Sequence, residues 1–107
     1  MEIKQYKVVF VNLDPTLGSE VKKTRPCLVI SPDEMNRHLN TVIIAPITSS
    51  SKPYPTRIEI KGENTKGWVM IDQIRTIDKQ RITKVFNSVS ENEIMEIKNV
   101  IKNTFVD

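Results

Sequence analysis

The feature that most constrains this chain is a series of short β-branched apolar runs separated by proline, glycine and hydroxyl-rich punctuation. Val8 to Leu13 reads VVFVNL, Cys27 to Ile30 reads CLVI, Thr41 to Pro46 reads TVIIAP and Gly67 to Ile71 reads GWVMI. Runs of this length and composition, bounded by turn residues, are strands. The second strand starts at Arg25. Thr56 to Ile60, TRIEI, alternates polar and apolar residues as a half-exposed strand does. Asp72 to Asp78 is expected to continue extended, with Ile74 and Ile77 in apolar positions, and Arg81 to Val85 to add a last short strand. A chain of 107 residues buries one core. Five to seven such strands in one small domain predict a strongly bent, mainly β sheet or small barrel.

Two helices are expected to accompany it. Ser31-Pro32-Asp33-Glu34 has the form of a helix start, with Ser31 as N-cap, Pro32 at the first helical position and Glu34 closing a capping box. This helix is short and ends near Asn40. Ser90-Glu91-Asn92-Glu93 is a second box and opens a C-terminal helix. Ile94, Ile97, Ile101 and Phe105, supported by Val100, fall on one face of it and predict packing on the barrel or on a second subunit.

Composition excludes several chemistries. There is one histidine, His38, so a two-histidine nuclease cannot be built in one chain. Three glycines and no phosphate-binding loop exclude P-loop and Rossmann sites. The single cysteine, Cys27, forms no internal disulfide and sits in an apolar run, so it is expected in the core. There is no Cys/His cluster, and the spacing of Asp14, Asp33, Asp72 and Asp78 suggests no metal site. MEIKQYKVVF is too charged for a signal peptide, and no apolar run approaches the roughly 20 residues of a membrane span. A cytoplasmic location with no membrane partner is the expectation. The net charge of +3 permits binding to nucleic acid or an acidic partner.

What remains is a chemistry of arginines and hydroxyls. In KKTRPCLVIS, Lys22 to Ser31, the guanidinium of Arg25 stands at the mouth of a buried strand, and Pro26 biases it to an extended backbone. RNA cleavage needs no external nucleophile, because the ribose 2′-OH lies beside the phosphorus. The protein must align that hydroxyl, stabilise charge on the phosphorane and move protons. An arginine with a Thr or Ser on a neighbouring strand is a minimal site for this, since the planar fork donates to two phosphate oxygens at once.

Four ordered motifs then carry a resemblance over nearly the whole chain: VNLDPTLGSE (Val11 to Glu20), KTRPCLVIS (Lys23 to Ser31), VIIAPITSSSKPYP (Val42 to Pro55) and GWVMIDQIRTID (Gly67 to Asp78). The chain resembles the MazF/PemK toxins of toxin–antitoxin systems. The resemblance implies one domain over 1–107, an SH3-like barrel of the CcdB/MazF/PemK type with a C-terminal helix, and a homodimer. It implies a sequence-specific, ribosome-independent endoribonuclease, an mRNA interferase, that needs no metal or other cofactor and leaves 2′,3′-cyclic phosphate and 5′-OH ends. The implied partners are single-stranded RNA and a cognate antitoxin, MazE-like or other.

The family's catalytic pair falls on Arg25 and Thr48. Glu20 is the most available carboxylate for proton transfer or base contact. RNA contacts are implied at Asp14, Thr16, Gly18, Ser19 and Lys23, at Ser49, Ser50, Lys52 and Tyr54, and at Asp72, Gln73 and Arg75. The arginine that PemK-type members use for acid work is replaced by Met70, which favours the Arg25/Thr48 version. The usual Gly-Asp before the first strand is replaced by Tyr6-Lys7, with an expected effect on the strand start. Lys52, Arg57, Arg75 and Lys79 have an alternative reading as solvated cations, and Trp68 reads as core or interface packing, with Tyr54 the better stacking candidate. Two other functions fit the same fold: a CcdB-like DNA gyrase inhibitor without nuclease activity, and a non-catalytic RNA-binding barrel.

Overall fold

The computed structural model describes residues 2–12, 24–62 and 65–106. Seven strands run in chain order: β1 (Lys7–Asn12), β2 (Thr24–Val29), β3 (Thr41–Thr48), β4 (Arg57–Lys61), β5 (Lys66–Met70), β6 (Arg75–Asp78) and β7 (Ile82–Ser88). Helix α1 (Asp33–His38) lies between β2 and β3, and α2 (Glu91–Phe105) closes the chain. The sheet order is β4-β5-β3-β2-β1-β7, and β6 pairs with the first half of β3. The sheet is so bent that its two edge strands share a cavity of about 310 Å³, lined by Ile60 near the end of β4 and by Phe86 and Ser88 of β7. The mainly β, small-barrel expectation with a C-terminal helix holds.

The β-branched runs are continuous rather than alternating because the central strands are covered on both faces. Val8, Leu28, Ala45, Ile47, Ile58, Ile60, Val69 and Ile71 form one core with Val89 and with Ile97 of α2. Val9, Val11, Cys27, Val29, Val42, Ile44, Ile77 and Ile82 form the other. Neighbours in sequence therefore serve opposite faces, as the two-residue period of a strand demands. Cys27 is fully buried. Burial pushes its thiol up to about 12, against the pull of the Arg75 and Arg25 guanidiniums.

Four sequence expectations are corrected. Ser31 does not cap α1: Pro32 is the N-cap residue and carries no side-chain cap. The Ser31 hydroxyl instead donates to the buried Asn36 side chain and accepts from the Ile43 amide at 3.0 Å. That tertiary bond ties α1 to β3 and takes the oxygen a cap would have used. The segment after Met70 is not continuously extended. Ile44 of β3 pairs with Arg75 of β6 while Ile47 pairs with Val69 of β5, so the partner chain has more residues than β3 can match. The surplus loops out as a 3₁₀ turn over Ile71–Gln73. β7 runs on to Ser88, beyond Val85, because it pairs along β1. Phe105 is 59% exposed, although Ile97 on the same helix is fully buried and Ile94 and Ile101 are half-buried. The second capping box is present in full: Ser90 Oγ accepts from Glu93 N, and Glu93 Oε1 accepts from Ser90 N at 3.0 Å. Glu93 Oε2 also accepts from the Lys61 amide at 2.9 Å, so the cap docks α2 on β4.

Tyr6 carries the cost of lacking the usual glycine. Its φ is 68°, in the left-handed region, and it is pinned there by its amide on the Val29 carbonyl at 2.7 Å. A β-carbon disfavours this conformation by roughly 1–2 kcal/mol. Tyr6→Gly is therefore expected to be more stable than Tyr6→Ala by about 1 kcal/mol, read by chemical denaturation of the two variants. Equal stabilities would show that the backbone there carries no strain.

Candidate active site

The face that holds the Cys27 core changes character at one end of the sheet. β2 pairs with β3 through Cys27↔Pro46, Leu28↔Ala45 and Val29↔Ile44. The β2–β3 ladder ends at Cys27↔Pro46; two residues beyond it on each strand, Arg25 and Thr48 fall on the strand side that carries Cys27 and Pro46. Arg25 is also the ladder partner of Val11 in β1, and Thr48 of Trp68 in β5, so both backbones are held from their outer sides. Arg25 is exposed and Thr48 half-buried. Arg75 lies on the same face across β3, opposite Ile44. The Arg75 and Arg25 guanidiniums both pull the Cys27 thiol's pKa down, against the larger effect of burial, so both lie near enough to act on this part of the face.

β5 approaches β3 unusually closely here. A β-carbon on Gly67 would lie 2.4 Å from the Thr48 carbonyl oxygen and 2.9 Å from an Ile47 methyl. Gly67 is thus required for Thr48 to keep its place. Gly67→Ala is expected to destabilise the fold by about 1–3 kcal/mol through this overpacking, measured as a shift in denaturation midpoint. A neutral substitution would contradict the close approach.

The segment after Thr48 is built on a network that the sequence did not reveal. The Thr48 hydroxyl donates to the Ser50 carbonyl at 3.1 Å. Arg57 donates from Nη1 to Ser51 Oγ at 2.9 Å, and from Nε and Nη2 to the two carboxylate oxygens of Asp72, each at 3.3 Å. Thr56 Oγ1 donates to Asp72 Oδ1 at 3.0 Å. The Tyr54 ring lies 5.1 Å from the guanidinium carbon of Arg57. Arg57 is therefore not the solvated cation its alternating strand suggested. It straps the loop to the 3₁₀ turn. Its position on the polar face of TRIEI was legible, but its partner depends on the β4–β5 register. Met70, in the place of the PemK arginine, is buried and is the ladder partner of Arg57.

Of the residues named from sequence, Arg25, Thr48 and Arg75 fall on one face, with Arg75 at the level of Ile44 and not of Thr48. Ser49, Ser50, Lys52 and Tyr54 lie on the loop beyond Thr48, with Tyr54 48% exposed, and Asp72 and Gln73 are exposed on the 3₁₀ turn. Asp14, Thr16, Gly18, Ser19, Glu20 and Lys23 fall outside the described residues. Trp68 is half-buried beside Thr48 rather than in either core. Among the described residues no group of three or more His, Cys, Asp or Glu side chains could hold a metal ion. No described helix is long and apolar enough to cross a membrane.

A strongly bent sheet with an arginine and a hydroxyl at the ends of adjacent central strands is a small β-barrel with a polar rim. Comparison with known proteins resolves the family. Residues 4–105 match the PemK-like, MazF-like toxins of type II toxin–antitoxin systems. The chain is 38% identical over 102 residues to endoribonuclease EndoA of Bacillus subtilis, covering 90% of this chain and 87% of that protein. It is 32% identical over 105 residues to endoribonuclease MazF of Staphylococcus epidermidis, covering 92% and 88% respectively. The chain belongs to the PemK-like, MazF-like toxin family. Its fold matches that of a MazE–MazF structure from Deinococcus radiodurans with a TM-score of 0.83 at 23% identity, covering 97% of this chain and 96% of that one. It also matches a mycobacterial endoribonuclease bound to its cognate antitoxin, with a TM-score of 0.79 at 20% identity over 94% and 92% of the two chains.

The strap has a pH signature. The Arg57 hydrogen bonds hold the Asp72 carboxyl below the usual carboxylate range. A carboxyl lowered in the folded state adds stability above its unfolded pKa, about 4, and that stability is lost as the pH falls through the folded value. A double-mutant cycle with Arg57→Gln and Asp72→Asn is expected to give a coupling of about 0.2–1 kcal/mol at pH 7, the scale of a partly exposed pair. The coupling should shrink below about pH 4. A coupling that does not change with pH would contradict an ion pair.

Proposed function

We propose that this chain is an RNA-cleaving toxin that cuts single-stranded RNA at the Arg25/Thr48 end of the sheet, without a metal ion. The reading is supported by the position of Arg25 and Thr48, each two residues beyond the Cys27↔Pro46 end of the β2–β3 ladder and on the same side of neighbouring strands. Family membership and the endoribonuclease names of the relatives support it and do not favour a gyrase inhibitor.

In the proposed reaction the ribose 2′-oxygen loses its proton and bonds to phosphorus. The bond from phosphorus to the 5′-oxygen breaks, and that oxygen takes up a proton. A 2′,3′-cyclic phosphate and a 5′-OH remain. Arg25 stabilises the phosphorane by donating to its oxygens; with a pKa above about 12 it is a poor general base. The Thr48 hydroxyl already donates to the Ser50 carbonyl, so its lone pairs are left to accept from the 2′-OH and hold it in line. Glu20 is the carboxylate assigned to proton transfer or base contact. Lys52 and Arg75 take the phosphates, Ser49, Ser50, Tyr54 and Gln73 make the other contacts to the RNA, and Asp72 serves through its ion pair with Arg57. We assign the working form to a cytoplasmic homodimer. Its inhibitor is an antitoxin segment that is acidic and partly disordered, covers the basic groove and competes with RNA.

Arg25→Ala is expected to lower the cleavage rate by at least about 100-fold with the fold intact, as loss of an oxyanion donor does. Arg25→Lys should also be poor, because the planar fork is lost. Thr48→Ala should slow cleavage by about 100-fold through misplacement of the hydroxyl. Single-turnover kinetics on a defined RNA in excess EDTA measure all three. A variant within about twofold of wild type would remove that residue from its role. A barrel that only binds would shift the RNA on a gel and leave it intact.

A further inference from the structure

The polar face does not stop at Thr48. Trp68 is the ladder partner of Thr48, and Glu59 is the ladder partner of Trp68. One pleat further along the same strands, on the same face, Lys66 pairs with Lys61. Trp68, Glu59, Lys61 and Lys66, with Ser49 and Gly67, line an open groove of about 380 Å³ that begins next to Thr48 in the chain. Gly67 presents no side chain, so the indole of Trp68 is the largest surface in it.

Trp68 is misplaced for a structural role. Among the described residues it joins neither apolar core. Val69 next to it is fully buried, while the indole stays half-exposed on the face of Thr48. A flat aromatic, two ammonium groups about 7 Å further along the strands and one carboxylate match the parts of a nucleotide. Bases stack on aromatic faces without sequence preference, lysines take phosphate, and a carboxylate accepts from an exocyclic amino group. Glu59 and Lys61 are exposed and Lys66 is exposed, so all three heads are available.

We propose that this groove is a subsite for one unpaired nucleotide adjoining the scissile phosphate, with its base stacked on Trp68, its outer phosphate on Lys61 and Lys66, and Glu59 favouring a base with an exocyclic amino group. The inference rests on the reading of Arg25 and Thr48 as the cleavage site.

Trp68 is the sole tryptophan, so intrinsic fluorescence reports on this groove alone. The probe is an oligonucleotide of the cleaved sequence with a 2′-deoxy sugar at the attacking position, which binds and is not cut. Saturable quenching of Trp68 is expected. Trp68→Ala should raise KM by about 5- to 150-fold, the equivalent of one lost base stack, with kcat changed by less than about threefold. Trp68→Phe should restore most of the KM. Cleavage with no change in Trp68 emission and an unaltered KM in Trp68→Ala would overturn the subsite and leave the cleavage site standing. If wild type cuts no RNA, the cleavage reading fails instead. The titration then uses an unstructured all-ribose oligonucleotide of mixed sequence, and an unquenched Trp68 overturns the subsite as well.

Discussion

Everything proposed for the active site depends on the register of β2 against β3. Leu28 belongs to one core, while Cys27 and Val29 belong to the other, and all three are fully buried. A slip of one residue would exchange them between faces that are both filled, and would turn Arg25 away from Thr48. The two cores thus specify the pairing, and just beyond the end of that pairing a charged fork and a hydroxyl fall on one face of the sheet. Neither group needs a loop to hold it, which is why a small domain can present them rigidly.

The same face is apolar over its middle and polar at its end. Along β2 the order Val29, Cys27, Arg25 passes from core to charge, and along β3 Ile44, Pro46, Thr48 does the same. Cys27 sits at the boundary and shows which effect wins. Two nearby guanidiniums favour its thiolate, yet burial dominates and keeps it a thiol. The sulfur is therefore a packing atom. The positive field of Arg25 and Arg75 is left for an anion arriving from solvent, which suits a phosphate. Beyond Thr48, the strap from Arg57 to Asp72 and the close passage of Gly67 hold the neighbouring loop and strand in register with the site.

Local signals were legible in the sequence and long-range partnerships were not. The positions of β1 to β5 followed from their apolar and alternating runs to within two residues, because burial demands those side chains, whereas β6 starts and β7 ends three residues later than expected. The Ser90/Glu93 box could be read because capping is decided within one turn. Ser31 has the same local pattern, but a buried Asn36 and the Ile43 amide competed for its oxygen. The 3₁₀ turn at Ile71–Gln73 is a mismatch between two ladders along β3, which no single segment encodes. Arg25 and Thr48 were named from the motifs that carry the family resemblance. Arg57 and Trp68 were underrated, since each takes its meaning from a residue more than a dozen positions away or across a ladder: Asp72 for the first, Thr48 for the second.

The central claim is that the chain's own residues drive the ribose 2′-OH onto the neighbouring phosphorus. It is tested most directly by incubating the purified protein with a long RNA in excess EDTA and determining the fragment ends by mass spectrometry. Discrete fragments with 2′,3′-cyclic phosphate and 5′-OH ends are expected, and their junctions would identify the sequence that is cut. Fragments with 5′-phosphate and 3′-OH ends, or RNA that remains intact until a divalent metal is added, would contradict it.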